Sequence, residues 1–553
     1  MMDQPHVQTR DDREPSHSEV DPNAPRHDEV QAAWAGKAIG SAALILMLAN
    51  LSSSLLGFVR QAVIAHVFGA GLDSDAFYAA SIVPQMFYDL TIGAAVSAAL
   101  IPTFSGIVKL RDKEALTDTA GSVLALAWLV LAATVVLLVI FAHPFMAGIA
   151  ATCRCATGSA ELNRSVEVLR VLLPSLFFLG TSAVLLATLY SVRRFTAPAF
   201  AGMLYHAGII LGAVLLVRPF GVLALPLGAV VGAAGQAIVQ VPALVRNRVI
   251  PRPRLRLTPE IRGILRLYLP VAAGLLVSIV GQIIDLGFKW KLGRARLTDM
   301  QYATTLTQFP IGIAVAALSF AILPSLSADA ALNRMDDFKD SLVLGIRVVL
   351  FLTVPAALGY LVLATPIVSL VFQSGHFTPA NVSRTAAALS GYAIQIPFVG
   401  IDQLMIFAFY ARKNTITPML VGVLGVGIYV LSGYLLIPRL HVFGLALANT
   451  IQNSAHAVIL LALLLLSIGK LDRRGLSMAV GKIGLAGAAM AGGAALLLSL
   501  MSARVAAGGF AAHALLALPP LFLGAGLYFA TAALLKSQEI ELLLGLIRRR
   551  VAR

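Results

Sequence analysis

Charge is the scarcest ingredient of this sequence. Asp, Glu, Lys and Arg make up 12% of its 553 residues, where a soluble domain carries about a quarter. With 58% apolar residues, that shortage excludes an ordinary water-soluble globule. Cysteine is limited to Cys153 and Cys155 in ATCRCATGS, which excludes a disulfide framework and leaves a metal site short of ligands. The two are expected to be loop thiols or one strained local disulfide. No Walker loop, HExxH or GxSxG occurs, so nothing points to an ATPase or a hydrolase. GVLGVG (422–427) has no strand ahead of it and is no dinucleotide site. A cleavable signal peptide is not expected either, because no basic n-region opens the chain and the first apolar run is too long.

What the chain does have is apolar runs of about 20 residues or more, each matching the roughly 30 Å hydrocarbon core. Backbone in lipid must bond to itself, so the runs read as helices. The expected fold is an all-α polytopic membrane protein of fourteen spans: 38–67, 76–107, 119–149, 165–192, 196–217, 220–245, 264–290, 301–327, 341–373, 384–411, 416–438, 441–469, 476–503 and 508–535, numbered 1 to 14. Residues 1–36 are polar, mixed in charge and expected to be a disordered cytoplasmic tail. Residues 536–553 read as an amphipathic helix on the membrane surface.

The net charge of +15 points to helix orientation rather than to nucleic acid, because the basic residues sit in short loops. Loops after even-numbered spans hold KLRDK, RR, RNRVIPRPRLRLTPEIRGILR (246–266), RK and KLDRR, whereas most loops after odd-numbered spans hold one basic residue or none. Both termini are therefore expected in the cytoplasm. One loop dissents: KWKLGRAR (289–296) carries four basic residues on the predicted outer side.

The sequence also repeats itself. YSVRRFTAPAF (190–200) resembles YARKNTITPML (410–420), AALIPTFS (98–105) resembles FAILPSLS (320–327), and FGVLAL (220–225) echoes FGLALA (443–448). The offsets are about 220 to 223 residues, and six spans fit into them. An even number of spans preserves orientation, so two parallel six-helix lobes, 37–245 and 263–470, are expected around a central cavity. A basic linker, 246–262, joins them, and 471–535 adds spans 13 and 14. Alternating access by rocking the lobes is the natural mechanism.

Polar side chains inside spans are costly and usually face a cavity or a partner. The strongest here are Arg60, Asp89, His206, Asp285, Asp402 and Gln403, with Gln282, Gln308, Gln395, Gln452 and Asn453 behind them. Arg60 either snorkels to the outer headgroups or serves a site. Asp89 either lines water or pairs, with Arg60 as one partner. Asp285 is protonated, paired or binds a cation. His206 reads as a hydrogen-bonded core residue.

Four stretches carry a resemblance: GFVRQAVIAHVFGAGLDSDAF (57–77), the IP-x-FS end of span 2, QYATTLTQFPIGIAVAALSFAILPSLS (301–327) and LVFQSGHFTPANVSRTAAALSGYAIQIP (370–397). Together they resemble the MurJ/MviN family of the multidrug/oligosaccharidyl-lipid/polysaccharide exporter superfamily, from about residue 40 to 470. The resemblance implies fourteen helices, two lobes, no enzymatic activity and the flipping of lipid II, a diphosphate-linked peptidoglycan precursor, across the bacterial inner membrane. It implies that Arg60 contacts the diphosphate, with Ser53, Ser54, Asp75, Asp89, Thr305 and Gln308 as further substrate contacts. It places a sodium or proton site at Asp285 and Thr450, and it implies a monomer working beside the cell-wall synthesis machinery. The chain also departs from the family pattern. Ser54, Gln61, Tyr88, Asp89, Thr304, Thr305 and Gln308 stand where charged residues of other kinds are usual. Gly433 and Ile437 stand where side-chain ligands of the cation are usual. Two other readings fit the same scaffold: a cation-coupled exporter of small amphipathic molecules using Asp89, Asp285 and Asp402, and a non-transporting membrane scaffold.

Overall fold

A computed structural model describes residues 27–540, apart from 94–95, 111, 153–158, 257, 472 and 506–507. Cys153, Cys155, residues 1–26 and residues 541–553 of the expected surface helix lie outside the described residues. No strand occurs among the described residues. Span 1 is one helix, His27–Phe68, so helix begins ten residues before the boundary expected at Lys37.

Eight helical stretches are long and apolar enough to cross a membrane, and a pair bent by 43°, Pro379–Ala393 and Ile396–Ala411, makes a ninth. Two of the eight, 196–247 and 416–468, run to 52 and 53 residues. At 1.5 Å per residue that is close to 80 Å, far beyond the hydrocarbon core. Both double back: Gly208 lies against Gly228 and Gly232, and Gly425 against Gln452. They are spans 5 and 6 and spans 11 and 12. The remaining three spans are broken or more polar. Span 2 runs from Leu72–Tyr88 through two π turns into Ile101–Leu110. Span 7 is Pro259–Lys291, started by Thr258, whose hydroxyl caps Ile261 N–H. Span 8 is Arg296–Ala321 continued by Leu323–Ala331.

The two halves share their breaks. Helix restarts at Ile101 just before Pro102, and again at Leu323 just before Pro324. Span 4 ends at Arg193 (φ +57°) and span 10 at Lys413 (φ +59°), and each of these residues donates to the tyrosine three before it. Spans 5 and 6 turn at Gly221 (φ +56°, ψ −132°) and spans 11 and 12 at His441 (φ +50°, ψ −124°). The last pair corrects the sequence match, because the register at the turn is 220, not the 223 of FGVLAL and FGLALA.

Loops after odd-numbered spans meet at one face, loops after even-numbered spans at the other. At the second, basic face, Lys113 and Arg194 bond Asn247, and Arg412 bonds Ser467. At the first, the far face, the dissenting loop explains itself. Lys289 Nζ is 2.6 Å from Asp285, Arg294 is 2.9 Å from Glu161 and Arg296 is 3.8 Å from Asp299. Lys291 lies over the Tyr434 ring. Four charges that seemed to break the orientation rule are all partnered.

The apolar cores follow the same division. One core unites both lobes and includes Ile64, Phe77, Tyr78 and Val83 of the first with Tyr302, Phe372, Phe377 and Tyr392 of the second. Toward the basic face the packing divides: Phe104, Leu116, Leu124 and Val184 of the first lobe form one core, which Ile264 of span 7 joins, and Leu326, Phe338, Leu342 and Leu464 of the second form another. Span 7 apart, the lobes share a core at the far face and have separate cores toward the basic face. Spans 13 and 14 pack on span 9 through Phe351, Met490 and Tyr528.

Candidate functional site

The far-face junction is built by residues of the GAGLDSDAF turn. Asp75 sits 8% exposed. Its carboxylate accepts from Ala295 N–H (2.5 Å), Thr298 N–H (2.8 Å) and Thr298 Oγ1–H (2.6 Å) in the opposite lobe. Asn381 Nδ2 donates to Ala70 O, Tyr302 OH to Gly69 O, and His376 N–H to His66 O. Below these, Tyr78 OH donates to Gln61 Oε1, and Gln61 Nε2 donates to Thr305 Oγ1 at 3.3 Å. Gln61 is 1% exposed, and Tyr302 stacks on Phe372 with centroids 4.7 Å apart. Asp75 and Thr305, expected as substrate contacts, are thus spent on lobe-to-lobe bonds in this state. A carboxylate with three donors aimed at it is already satisfied.

Arg60 is the residue before Gln61 on span 1. Gly57 and Arg60 share a helix face toward span 5, and Arg60 Nη1 is 3.3 Å from His206 Nδ1. Its Nε is buried without a partner, and no ion pair reaches it among the described residues. It turns onto span 5 rather than snorkelling. A guanidinium has five N–H donors, so most of its capacity remains for an anion. His206 is the hydrogen-bonded core residue that the sequence implied. Asp89 does not pair with Arg60; it accepts from Gln85 Nε2 at 3.0 Å within its own helix. Ser53 faces Gly202 of span 5, while Ser54 and Gln308 are exposed.

The expected cation site is filled from within the chain. Asp285 holds the Lys289 ammonium at 2.6 Å on one oxygen and the Tyr429 hydroxyl at 2.6 Å on the other. Thr450 donates its hydroxyl to Gly391 O. Gly433 leaves no room for a ligand, since a Cβ there would lie 2.8 Å from the Phe288 ring, and Ile437 has no donor atom. Sodium needs several oxygens around one point. Here the oxygens of Asp285 face an ammonium and a hydroxyl instead, so the residues present do not fit it. A cleft of about 450 Å³ beside Asp285 is lined by Gln282, Tyr429, Asn449 and Gln452. Asp402 is also taken, by His456 at 2.5 Å. A cationic cargo therefore finds two of its three expected carboxylates occupied.

Lys289 could have been found from sequence, because Asp-x-x-x-Lys puts both side chains on one helix face. The bonds of Gln61, Tyr78 and Asn381 carried no local signal.

Comparison with known proteins fits this arrangement. The family described as lipid II flippase MurJ matches residues 64–515. A lipid II flippase MurJ of Burkholderia cenocepacia is 27% identical over 421 residues, covering 74% of this chain and 81% of the relative. A probable lipid II flippase MurJ of Thermotoga maritima is 29% identical over 426 residues, covering 75% and 84%. Among solved structures, a lipid II flippase MurJ in an inward closed conformation superposes with a TM-score of 0.73 at 21% identity, covering 90% of this chain and all of that one. An inward-facing transporter of the multidrug resistance MATE family follows at 0.64 and 14% identity, covering 75% and 94%. The structural likenesses establish the fold.

Proposed function

The chain belongs to the lipid II flippase MurJ family, and from that membership we propose that it flips lipid II from the inner to the outer leaflet by alternating access. It is a multi-pass protein of the bacterial inner membrane and not an enzyme. On this reading the basic face and both termini are cytoplasmic. Rocking divides the chain into lobes 37–245 and 263–470, and the protein works as a monomer beside the cell-wall synthesis machinery. The conformation supports a loading state, because the far face is sealed by bonds between the lobes while toward the basic face, span 7 apart, each lobe packs around its own core.

Arg60 is the residue we assign to the diphosphate. The observation that carries this is its nearly unspent guanidinium: one contact to His206 and no carboxylate partner among the described residues. A planar fork of donors matches phosphate oxygens well. Ser54 and Gln308, both exposed, are the polar contacts left free in this state. Asp75 and Thr305 serve the seal instead, and would be released only when the far face opens.

The test is replacement. The chain is expressed in a bacterium whose own lipid II flippase can be shut off, and growth and lipid II exposed outside are scored. Rescue by wild type and loss of rescue with R60A, at equal membrane abundance, is the expected result. No rescue by wild-type protein present in the membrane would overturn the lipid II assignment. Full rescue by R60A would overturn the role of Arg60.

A further inference from the structure

Span 12 carries Asn449, Gln452, Asn453 and His456, spaced three and four apart on one helix face. Asn453 Nδ2 donates to Gln395 Oε1 of span 10 at 2.7 Å and to Asn449 Oδ1 at 3.2 Å. His456 ends the strip. Its Nδ1 is 2.5 Å from Asp402 Oδ1 in span 10, and its Nε2 is 3.3 Å from the Pro418 carbonyl of span 11. The two side chains are 13% and 17% exposed.

Both ring nitrogens face acceptors. The arrangement therefore suits an imidazolium donating Nδ1–H to Asp402 and Nε2–H to Pro418 O. Moving the shared proton onto Asp402 leaves the pair neutral as a whole; removing it leaves a net charge of −1 inside a span. A bare charge there costs about 2.5–3.5 kcal/mol on insertion scales. Two charge states that differ by one proton, one of them costly, are what a proton-binding site needs.

The first lobe provides an internal control. The residues 220 before Asp402, His456 and Pro418 are Ser182, Gln236 and Pro198. Ser182 accepts from Gln240 Nε2 at 2.7 Å, and Gln240 Nε2 also donates to Gln236 O at 2.9 Å. The same place is polar in both lobes and titratable only in the second. The cleft beside Asp285 comes close to the second, because Met419, Gly422 and Gln452 line it and a Cβ on Gly422 would lie 3.9 Å from His456 Nε2. Other charged or titratable groups stand further off. Span 7 offers Asp285 bound to Lys289, and span 11 offers Tyr429 bound to Asp285. Arg412, ten residues along span 10, turns to Ser467. Span 9 presents Val349 and Thr353 to span 10 at Gly400.

We propose that Asp402 and His456 form a proton-binding site of the second lobe, and that taking up a proton from water and releasing it there drives the rocking that carries the cargo. The drive, though not the site, rests on the transport reading above. When the proton leaves, His456 can no longer donate to both Asp402 and Pro418 O, and the tie among spans 10, 11 and 12 weakens.

Two measurements on the full chain in phosphatidylethanolamine–phosphatidylglycerol vesicles test this. In the first, ¹⁵N-histidine spectra are recorded from about pH 5 to 9, bracketing the ordinary histidine range. Ten histidines contribute to these spectra, and His456 is assigned as the resonance missing from H456Q. The expected result is that this resonance is an imidazolium signal at low pH and fades as pH rises; a His456 resonance that does not change over the range overturns the site. In the second, lipid II flipping is followed under an imposed gradient of one pH unit, worth up to about tenfold in an equilibrium. The wild-type rate should respond, and D402N and H456Q should respond by less than about twofold. The double variant D402S with H456Q copies the Ser and Gln of the first lobe, and so keeps a neutral pair if a single change disturbs folding. An undiminished gradient response in that double variant overturns the coupling. If wild type flips no lipid II at all, the transport reading and the drive fall together, while the spectra still decide the site.

Discussion

Lys289 and Asp285 lie one helical turn apart and pair at 2.6 Å. The ammonium stands where the resemblance implied an external cation. Removing one partner of a buried pair costs about 3–5 kcal/mol. Asp285 keeps 29% of its side chain exposed, so K289M should cost less, about 2 kcal/mol, read as a lowered Tm of the purified protein. Pairing K289M with D285N should recover most of that loss, and exchanging sodium for potassium should leave the wild-type Tm unchanged. A sodium-dependent rise in Tm would count against the internal cation. Arg60 invites a second substitution. R60K keeps the charge and loses the planar fork, so rescue should persist with flipping about tenfold slower, a loss of about 1.4 kcal/mol. Arg60 and Asp285 were both legible in the sequence as charges inside apolar runs. Of their partners only Lys289, four residues from Asp285, lay within reach of a local pattern; His206 is 146 residues from Arg60 and Tyr429 is 144 from Asp285.

At the scale of elements, the hairpin turns are the informative places. His441 adopts φ +50°, ψ −124°, where Gly221 holds the matching turn of the first lobe. A residue with a Cβ is strained there, by about 1–3 kcal/mol. H441G should therefore raise the Tm, and an unchanged or lowered Tm would mean that the His441 side chain offsets its own strain. Within the first hairpin, a Cβ on Gly208 would lie 2.4 Å from Gly228 O. G208V should force spans 5 and 6 apart and lower the amount of folded protein recovered in detergent. Eleven of the fourteen expected spans fall on helices long and apolar enough to cross a membrane, while spans 2, 7 and 8 are helical but broken or more polar. Apolar run length could not reveal the π turns in span 2 or the three-residue shift of the turn register, because both depend on how the backbone packs and not on side-chain polarity.

At the scale of the molecule, the closed far face is the largest feature that the sequence did not disclose. Its bonds join residues 220 to 311 apart, beyond the reach of any periodicity. Asp75 concentrates three of them, and hydrogen bonds to a charged group are worth about 1.5–3 kcal/mol each. D75N keeps the shape and weakens all three. It should shift the population toward an open far face, seen as faster labelling of a cysteine at Ala70, whose side chain makes none of these bonds, in a C153S/C155S background. His66 Nδ1 and Ser374 Oγ, 3.0 Å apart across the same junction, give the converse experiment. Cysteines at both positions should cross-link, stop flipping, and release it on reduction. Flipping that continues through the cross-link would show that the far face need not open. The repeat of breaks and turns, by contrast, was announced by a recurring offset, since duplication leaves its mark in sequence even where the partners across the junction have diverged.

The partnered loop 289–296 also bears on how the protein is made. Once folded, its four basic residues are matched by Asp285, Glu161, Asp299 and the Tyr434 ring. During synthesis two of those partners, Asp299 and Tyr434, are not yet in place when the loop must cross the bilayer, and for that interval the loop is an uncompensated basic segment. On the proposed orientation, the stretch 246–266 with its seven arginines emerges first and would hold span 7 from the other side. On that orientation the arginine-rich connection would act as a topological anchor during synthesis, and neutralising its arginines should favour inverted insertion of span 7, read as an exchange of the sides on which 246–266 and 289–296 are accessible.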